Sequence, residues 1–307
     1  MIIWLCIKYQ SHNNSMSDQK SNQNYKVSVV IPTLGGPTLV KTIEKLNSGT
    51  LVPSEILICI PEAYAYNVYN CSYENVKIVK TDFGGQVRQR AYGFTVAAEH
   101  YVLQLDDDVY LRSTCLQAMV DCIGSRDNVS VSPSLLDSIT NMPSSHMAKP
   151  NGSTGFLYKL LFWIVNSNGG YQAGKISKAG VNMGYSSEAT HTYEVDWLPG
   201  GCALHIKGNL VTENYYPYSG KAFAEDLFHS TILRNNGVQL FHCPEAECSL
   251  DNTSSKGDGL FSLIKIYFSF SRIMFRFASF TGKSHVRLVA FLILNYLLLI
   301  SDKISKR

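Results

Sequence analysis

The stretch "VLQLDDDVYL", residues 102–111, changes from apolar to triply acidic and back to apolar. Its first residues predict a buried strand, and Asp106, Asp107 and Asp108 come at the end of that strand. Adjacent carboxylates repel one another, so a cation, hydrogen-bond donors or water must compensate them. Side chains alternate along a strand, which predicts that Asp106 and Asp108 share one side. Two such carboxylates suit Mg2+ or Mn2+ bound together with a substrate phosphate, whereas the alternative is a solvated acidic turn.

The chain around this stretch alternates short β-rich runs with helical stretches. Strands are predicted at 26–34, 54–62, 76–81 and 101–106, and a helix at 85–100. This alternation predicts a parallel sheet with helices on both faces, where ligands bind beyond the carboxyl ends of the strands. Residues 133–192 are rich in Ser, Asn and Gly and give no clear pattern. After them we expect strand character at 193–210, a helix at 222–237 and a last strand at 238–248.

Charge is distributed unevenly along the 307 residues, although the formal net charge is only +3. From residue 259 onward there are eight Lys or Arg and one acid, so the body is mildly acidic and the tail strongly basic. This division predicts a catalytic or binding body with a tail that binds anionic partners. The eight cysteines include no CxxC pair and no zinc-type spacing, which predicts reduced thiols.

The two ends differ in character. Residues 1–24 are polar after a short apolar start, and we expect a disordered tail or a mis-assigned start without a function. In segment 253–307, Lys265, Arg272 and Arg276 are spaced by seven and four residues. That spacing places them on one face of an otherwise apolar helix and predicts a basic amphipathic helix at an anionic membrane surface. The alternative is that this helix packs on the protein's own body.

A second apolar run, residues 288–300, follows in the same segment and is interrupted by Asn295. A full span needs about 20 apolar residues, so the run predicts a re-entrant or interfacial helix. We therefore expect C-terminal membrane-associated helices, attached in a peripheral or monotopic way at the cytoplasmic side of a membrane.

Five stretches together carry a family resemblance. In chain order they are "VSVVIPTLGG", "GGQVRQRAYGF", "YVLQLDDDVYL", "VDWLPGGCAL" and "AEDLFHSTILRNNG". They resemble the successive motifs of family 2 glycosyltransferases, over roughly residues 26–250. The resemblance implies an α/β, GT-A (nucleotide-diphospho-sugar transferase) fold with a mixed, mostly parallel sheet between helices. Within domain 25–252, residues 25–125 would form the nucleotide-binding half and residues 126–252 the acceptor half.

The resemblance also implies roles for individual residues. The donor-binding residues would be Pro32, Thr33, Glu62, Arg90, Asp106 and Asp107. The metal ligands would be Asp106 and Asp108, which match the family's DxD motif. The acceptor-side residues would be Gly200, Gly201 and Trp197, and the catalytic residues Asp226, as the base, and Glu225.

Three positions depart from the family pattern. Arg90 and Gly93 match an Arg-Asn-x-Gly element beneath the donor, but Ala91 replaces its Asn. An Asp that commonly ends the second strand is replaced within "ICIPEAY", where Glu62 is the substitute. The family's His after the last strand is missing from "PEAECSLDN", so His242, Asp251 or water would complete the metal shell.

The function that we expect is that of a metal-dependent, inverting glycosyltransferase of the hexosyltransferase type, using Mn2+ or Mg2+. It would move a sugar from a nucleoside-diphosphate donor to a glycan or lipid-linked acceptor at a membrane, as in polysaccharide biosynthesis, and would bind no nucleic acid. One alternative is a nucleotidyltransferase, which would leave the Glu-Asp motif unexplained. The other is a catalytically inactive relative that serves as a membrane-bound binding module.

Overall fold

The structure is a computed structural model. It describes residues 25–68, 71, 73–144, 147–148, 156–168, 170–218, 222–251 and 260–305. The strands are β1 (Val27–Pro32), β2 (Glu55–Pro61), β3 (Val76–Thr81), β4 (Tyr101–Leu105), β5 (Val109–Leu111), β6 (Val129–Asp137), β7 (Met147–Ala148), β8 (Tyr185–Ser186), β9 (Tyr193–Glu194), β10 (Cys202–Ile206) and β11 (Gln239–Leu250). The helices are α1 (Leu39–Asn47), α2 (Gln86–Val96), α3 (Cys115–Ile123), α4 (Phe156–Asn166), α5 (Glu225–Asn235), α6 (Leu260–Thr281) and α7 (His285–Ser305). The expected tail at 1–24 lies outside the described residues.

A mixed sheet forms the centre of the molecule. Nine strands of the described chain belong to it, in the order β3-β2-β1-β4-β10-β6-β11-β5, with β9 paired to β11. The neighbours β3, β2, β1 and β4 run parallel, as the sequence predicted. Strand β10 then lies antiparallel between β4 and β6, while β11 runs parallel to β6. The parallel half therefore ends at β4, the strand that carries the acidic turn at its carboxyl end.

Helices cover the parallel half on both faces. Val29 and Ile31 of β1 are buried in the same cluster as residues of α1 and α3, whereas Val30 is buried with Phe94 of α2. The strands are apolar on both sides because both of their faces are covered. Gly93 lets α2 approach closely, since a Cβ at this position would collide with the side chains of Val30 and Cys59.

The two C-terminal helices pack against the body through one face. Met274, Phe277 and Ala278 of α6 are buried in a cluster that also contains Trp197 and Phe228. At the start of α7, the backbone N–H of Ser284 donates to Lys178 O at 3.0 Å. Nη1 of Arg287 donates to the carbonyl oxygen of Ile164 at 2.6 Å. None of the helices among the described residues has both the length and the apolar character that a membrane crossing requires.

Candidate active site

The turn after β1 and the acidic turn after β4 form one hydrogen-bonded unit. Thr33, which follows the buried Pro32, donates its hydroxyl hydrogen to the Asp107 carboxylate and accepts the backbone N–H of Gly35 at 2.9 Å. The hydroxyl of Thr42 on α1 donates to the backbone carbonyl of Asp107 at 2.8 Å. Asp107 is thus fixed by both its side chain and its backbone. Because β1 and β4 are parallel neighbours, their carboxyl ends bring these turns to the same edge of the sheet.

Two glutamines at the start of α2 donate hydrogen bonds to this edge of the sheet. Nε2 of Gln89 donates to the carbonyl of Thr33 at 2.9 Å and to the carbonyl of Cys59 at 2.7 Å. Nε2 of Gln86 donates to Asp106 Oδ1 at 2.9 Å. Sequence reasoning missed both glutamines. Gln86, Gln89 and Arg90 have the i, i+3, i+4 spacing of one helical face, which was the available signal.

Arg90 joins the donor half to the acceptor half. Its guanidinium is fully buried and lies 3.1 Å from Asp106 Oδ1 and 2.7 Å from Glu225 Oε1. Burial opposes its charge, but the neighbouring Glu225 and Asp106 raise the pKa of Arg90 above its usual value. Burial also raises the pKa of Asp106 to about 6, against the opposing charge of Arg90. The pair of contacts connects two predicted motifs that lie far apart in the chain.

Two glycines let these acids come together. The carbonyl of Gly201 accepts the backbone N–H of Asp106 at 2.9 Å, and a Cβ on Gly201 would lie 3.4 Å from Asp106 Oδ2. A Cβ on Gly200 would collide with Oε1 of Glu225. Any larger residue at position 200 would displace the carboxylate that pairs with Arg90. The predicted acceptor-side glycines therefore lie directly against the predicted donor-side and catalytic acids.

Asp226 lies next to Glu225 at the start of α5. Oδ1 of Asp226 accepts the backbone N–H of Leu227 at 3.0 Å. Burial and the charge of Glu225 raise the pKa of Asp226 to about 7. Ala224, the residue directly before α5, has φ 53°, in the left-handed region that residues other than glycine rarely adopt. Such strain is commonly found at functional sites, and here it sets the direction in which α5 leaves the turn.

Tyr215 supports the second oxygen of Glu225. The hydroxyl of Tyr215 donates to Glu225 Oε2 at 2.7 Å, and its ring stacks on His229 with centroids 5.0 Å apart. Both Glu225 oxygens are therefore occupied, which fixes its orientation. Sequence reasoning missed Tyr215, because no motif or periodic pattern distinguishes it from the neighbouring tyrosines.

The acidic turn offers ligands for a divalent cation but no closed cage. The backbone N–H of Asp251 donates to Asp108 O at 3.0 Å, and the Asp251 carboxylate accepts the Tyr110 hydroxyl at 2.8 Å. His242 is fully buried, with Nε2 3.4 Å from Ser134 Oγ. Across the described ranges, no group of three or more His, Cys, Asp and Glu side chains is placed to hold a metal. Two carboxylates fit a cation that a phosphate-bearing ligand completes, because Mg2+ is commonly bound in this way.

Two predicted site residues have other contacts in the structure. Glu62 follows β2 and is exposed, forming an ion pair with Lys80 at 2.9 Å. Trp197 is fully buried, and its indole N–H donates to the carbonyl of Met183 at 2.9 Å. Trp197 thus packs in the core behind the glycine pair. The donor role of Glu62 and the acceptor-side role of Trp197 stay predictions.

Comparison with known proteins supports the fold. No family model matches the sequence, and no curated protein matches it. Among solved structures, the chain is similar to GalNAc-T7, which was crystallised with UDP, GalNAc and Mn2+. The TM-score is 0.52 at 14% sequence identity, over 85% of this chain and 56% of that one, so the chain spans little more than half the length of this neighbour. The chain has a GT-A-like fold, which confirms the predicted α/β architecture of the body, while membership of family 2 and the membrane association of the C-terminal helices stay predictions.

Proposed function

We propose that this protein is a metal-dependent, inverting glycosyltransferase that uses a nucleoside-diphosphate sugar. The observation that carries the proposal is the buried Arg90, which ties Asp106 of the acidic turn to Glu225 of the Glu-Asp motif. Both motifs lie at the carboxyl edge of the parallel strands, where open α/β sheets bind ligands. The similar structure that holds UDP and Mn2+ adds support from the fold.

On the donor side, Asp106 and Asp108 would hold Mn2+ or Mg2+ together with the donor diphosphate. When bound, the cation would act as a Lewis acid for the leaving diphosphate. Thr33 and Asp107 are already joined by a hydrogen bond, so the turn they form would present a fixed surface to the nucleotide. Pro32 and Glu62 would contact the same donor. Preorganisation of this kind lowers the entropic cost of binding.

On the acceptor side, Asp226 would take the proton of the attacking hydroxyl. A pKa of about 7 suits a general base, because the carboxylate is then both partly ionised and basic enough to accept a proton near neutral pH. Attack on the anomeric carbon from the side opposite the diphosphate gives inversion. Gly200 and Gly201, which let Glu225 and Asp106 approach closely, would border the sugar and the acceptor.

The acceptor that we propose is a glycan or a lipid-linked sugar, modified at the cytoplasmic face of a membrane. Lys265, Arg272 and Arg276 of α6 are exposed, which supports docking on anionic lipid. Docking would raise the local concentration of a lipid-linked acceptor. A second candidate function, a catalytically inactive membrane-bound binding module, is favoured by one observation: the described residues offer no third metal ligand beside Asp106 and Asp108.

Thermal unfolding tests the proposal with UDP, GDP and dTDP, each with and without Mn2+. We expect one nucleotide to raise the Tm of the wild type by about 5 °C at a concentration near 100 Kd, and only with Mn2+. Asp108→Ala should abolish this shift, because it removes a carboxylate from the cation. Asp121→Ala, which removes an exposed aspartate on α3, is the matched control and should keep the shift.

The outcomes separate the candidates. Nucleotide stabilisation that needs Mn2+ and Asp108, followed by release of the nucleoside diphosphate from its sugar donor, supports the transferase. Stabilisation without any donor turnover supports the binding module. Release of pyrophosphate from a nucleoside triphosphate would instead identify a nucleotidyltransferase. If no nucleotide shifts the Tm, the proposal is wrong.

A further inference from the structure

The helices α6 and α7 line an open cleft of about 1200 Å³. Its walls include Phe268 on α6 and Val289 and Ile293 on α7. Pockets for small molecules have volumes of roughly 300–1,000 Å³, so this cleft exceeds the usual size. It does not overlap the strand-end site, since no residue of the acidic turn lines it.

Three cations of α6 line the same cleft. They are Lys265, Arg272 and Arg276, and all three side chains are exposed. Lys265 and Arg272 are two helical turns apart, or about 10 Å along the axis. The guanidinium of Arg276 lies 4.2 Å from the centre of the Tyr218 ring. No Asp or Glu is among the lining residues of the part of the chain that the structure describes, so the cleft presents uncompensated positive charge.

Large apolar side chains are exposed in the same place. Phe268 is 70% exposed and Ile293 is 58% exposed, whereas Phe277 and Ala278 on the other face of α6 are buried. The burial of α6 against the body is therefore already complete without Phe268. Adjacent exposed apolar side chains on a soluble surface mark a site of interaction.

We propose that this cleft binds one phosphate-bearing lipid of an anionic bilayer, with its phosphate between Lys265 and Arg272 and its chain against Phe268 and Ile293. Charge complementarity selects the occupant. Free phosphate would leave the exposed apolar wall uncovered, and an uncharged apolar partner would leave three cations without counter-charge. An anionic phospholipid supplies both chemistries in one molecule.

The position of the cleft connects it with the candidate active site. Phe223 forms part of the cleft wall, and its ring lies 6.5 Å from that of Phe270 on α6 in an edge-to-face arrangement. Phe223 comes two residues before Glu225 and three before Asp226. A lipid in the cleft would therefore contact the segment that leads into α5. The inference rests on the proposed membrane docking, gives it a defined site, and does not depend on sugar transfer.

The test measures lipid binding by the full chain without any sugar donor. Flotation with vesicles of phosphatidylcholine alone, or of phosphatidylcholine with phosphatidylglycerol, reports docking to neutral and anionic surfaces. We expect binding to the anionic vesicles, and a loss of ten- to a hundred-fold in affinity for Lys265→Glu/Arg272→Glu, because each cation near an anionic surface contributes roughly a factor of five to ten. Phe268→Ser should weaken binding at least about threefold through lost apolar contact.

Matched controls exist for both kinds of variant. Lys45→Glu reverses an exposed cation on α1, and Ile139→Ser removes an apolar side chain that is 71% exposed, close to the value for Phe268. Both controls should bind anionic vesicles like the wild type. Every variant should also keep the nucleotide-dependent Tm shift, so that loss of lipid binding is separated from misfolding and from failure of the proposed transferase function.

A soluble lipid tests whether the cleft is a single binding site. Short-chain dihexanoyl phosphatidylglycerol, used below its micelle concentration, should raise the Tm of the wild type, with one molecule bound per chain, but not that of the double charge reversal. Equal stabilisation by inorganic phosphate would overturn the proposal in favour of a simple anion site. Equal binding to neutral vesicles, or wild-type binding by the double charge reversal, would overturn it as well.

Discussion

The two sides of the candidate site hold their carboxylates with different sets of hydrogen-bond donors. On the donor side, Asp107 accepts the hydroxyl of Thr33, and Asp106 accepts hydrogen bonds from Gln86 and Arg90. On the acceptor side, Asp226 accepts the backbone N–H of its own helix turn, and its pKa is raised to about 7. Burial raises the pKa of Asp106 as well, to about 6, but the donors Gln86 and Arg90 orient its carboxylate, whereas Asp226 has fewer donors and is suited to exchange a proton near neutral pH.

Glu225 shows that position in the chain does not decide this difference. It is the direct neighbour of Asp226, yet it shares the donor-side pattern, because Arg90 and Tyr215 occupy its two oxygens. Arg90 is therefore the hydrogen-bond donor that Asp106 and Glu225 share. Glu225 is oriented by strong charge-assisted contacts, and its own charge helps to raise the pKa of Asp226.

The first prediction tests whether Asp226 exchanges a proton during sugar transfer. The variant Asp226→Asn keeps the shape of the side chain and removes the base. We expect the rate of sugar transfer to fall by about 10²–10⁴-fold, the usual contribution of a general base. In the wild type, the rate should rise with pH up to about 7, because only the ionised carboxylate accepts a proton. The measurement is transfer rate against pH at saturating donor, with nucleotide binding followed in parallel.

Nucleotide binding provides the control for this prediction, because Asp226 lies on the acceptor side and the metal-dependent Tm shift should survive. A variant that keeps more than about a tenth of the wild-type rate would show that Asp226 is not the base. The division between orienting acids and a proton-exchanging acid would then lose its functional meaning.

The second prediction concerns Arg90→Met, which removes the cation that pairs with Asp106 and Glu225. Breaking a buried ion pair on one side costs about 3–5 kcal/mol, since Glu225 would stay buried without its cation. The free energy of unfolding, measured in urea, should fall by that amount. Lys77→Met is a matched control: Lys77 also pairs with a buried glutamate, Glu55 at 2.7 Å, but its side chain is 62% exposed. Its loss should cost about 1 kcal/mol or less, because Glu55 keeps the Ser28 hydroxyl and the Ala98 N–H as donors.

A double variant sharpens the result. Arg90→Met/Glu225→Gln removes both charges, so part of the stability lost in the single variant should return. If Arg90→Met costs no more than Lys77→Met, or if the double variant is less stable than the single one, Arg90 and Glu225 are not an energetically coupled pair.

Local patterns predicted much of the donor half. The alternation of strands and helices predicted that β1, β2, β3 and β4 run parallel, and the triple Asp was expected at a strand end, where it lies. The contacts that organise the site depend on long-range packing that a single sequence does not reveal. Arg90 and Glu225 are 135 residues apart, and Tyr215 reaches Glu225 from a segment without periodicity.

The acceptor half shows why the same reasoning reached less far there. The antiparallel insertion of β10 between β4 and β6 has no local signal, since its residues are buried on both faces like those of a parallel strand. Trp197 was predicted on the acceptor side; its indole is buried and donates to the carbonyl of Met183, and its role stays a prediction. In α6, an apolar and basic pattern suits either a bilayer or the protein's own body. The structure shows the body covering Phe277 while Phe268 stays exposed.

The smallest expected effect isolates the raised pKa of Asp226 from catalysis. With a pKa of about 7 in the folded state and an ordinary value near 4 after unfolding, Asp226 binds its proton more tightly when folded. Its contribution to stability is therefore full below pH 4 and is lost as the pH rises towards 7 and above.

An asparagine side chain cannot be ionised, so Asp226→Asn should gain stability over the wild type as the pH rises. We expect a gain of about 1–2 kcal/mol between pH 4 and pH 8, less than the full shift would give because the side chain is partly exposed to solvent. Urea unfolding across this range measures it, with the exposed Asp121→Asn as a control for the loss of a surface charge. A difference that is independent of pH would show that Asp226 is ionised as readily in the folded protein as in the unfolded chain. Asp226 would then lack the raised pKa that suits it to exchange a proton near neutral pH.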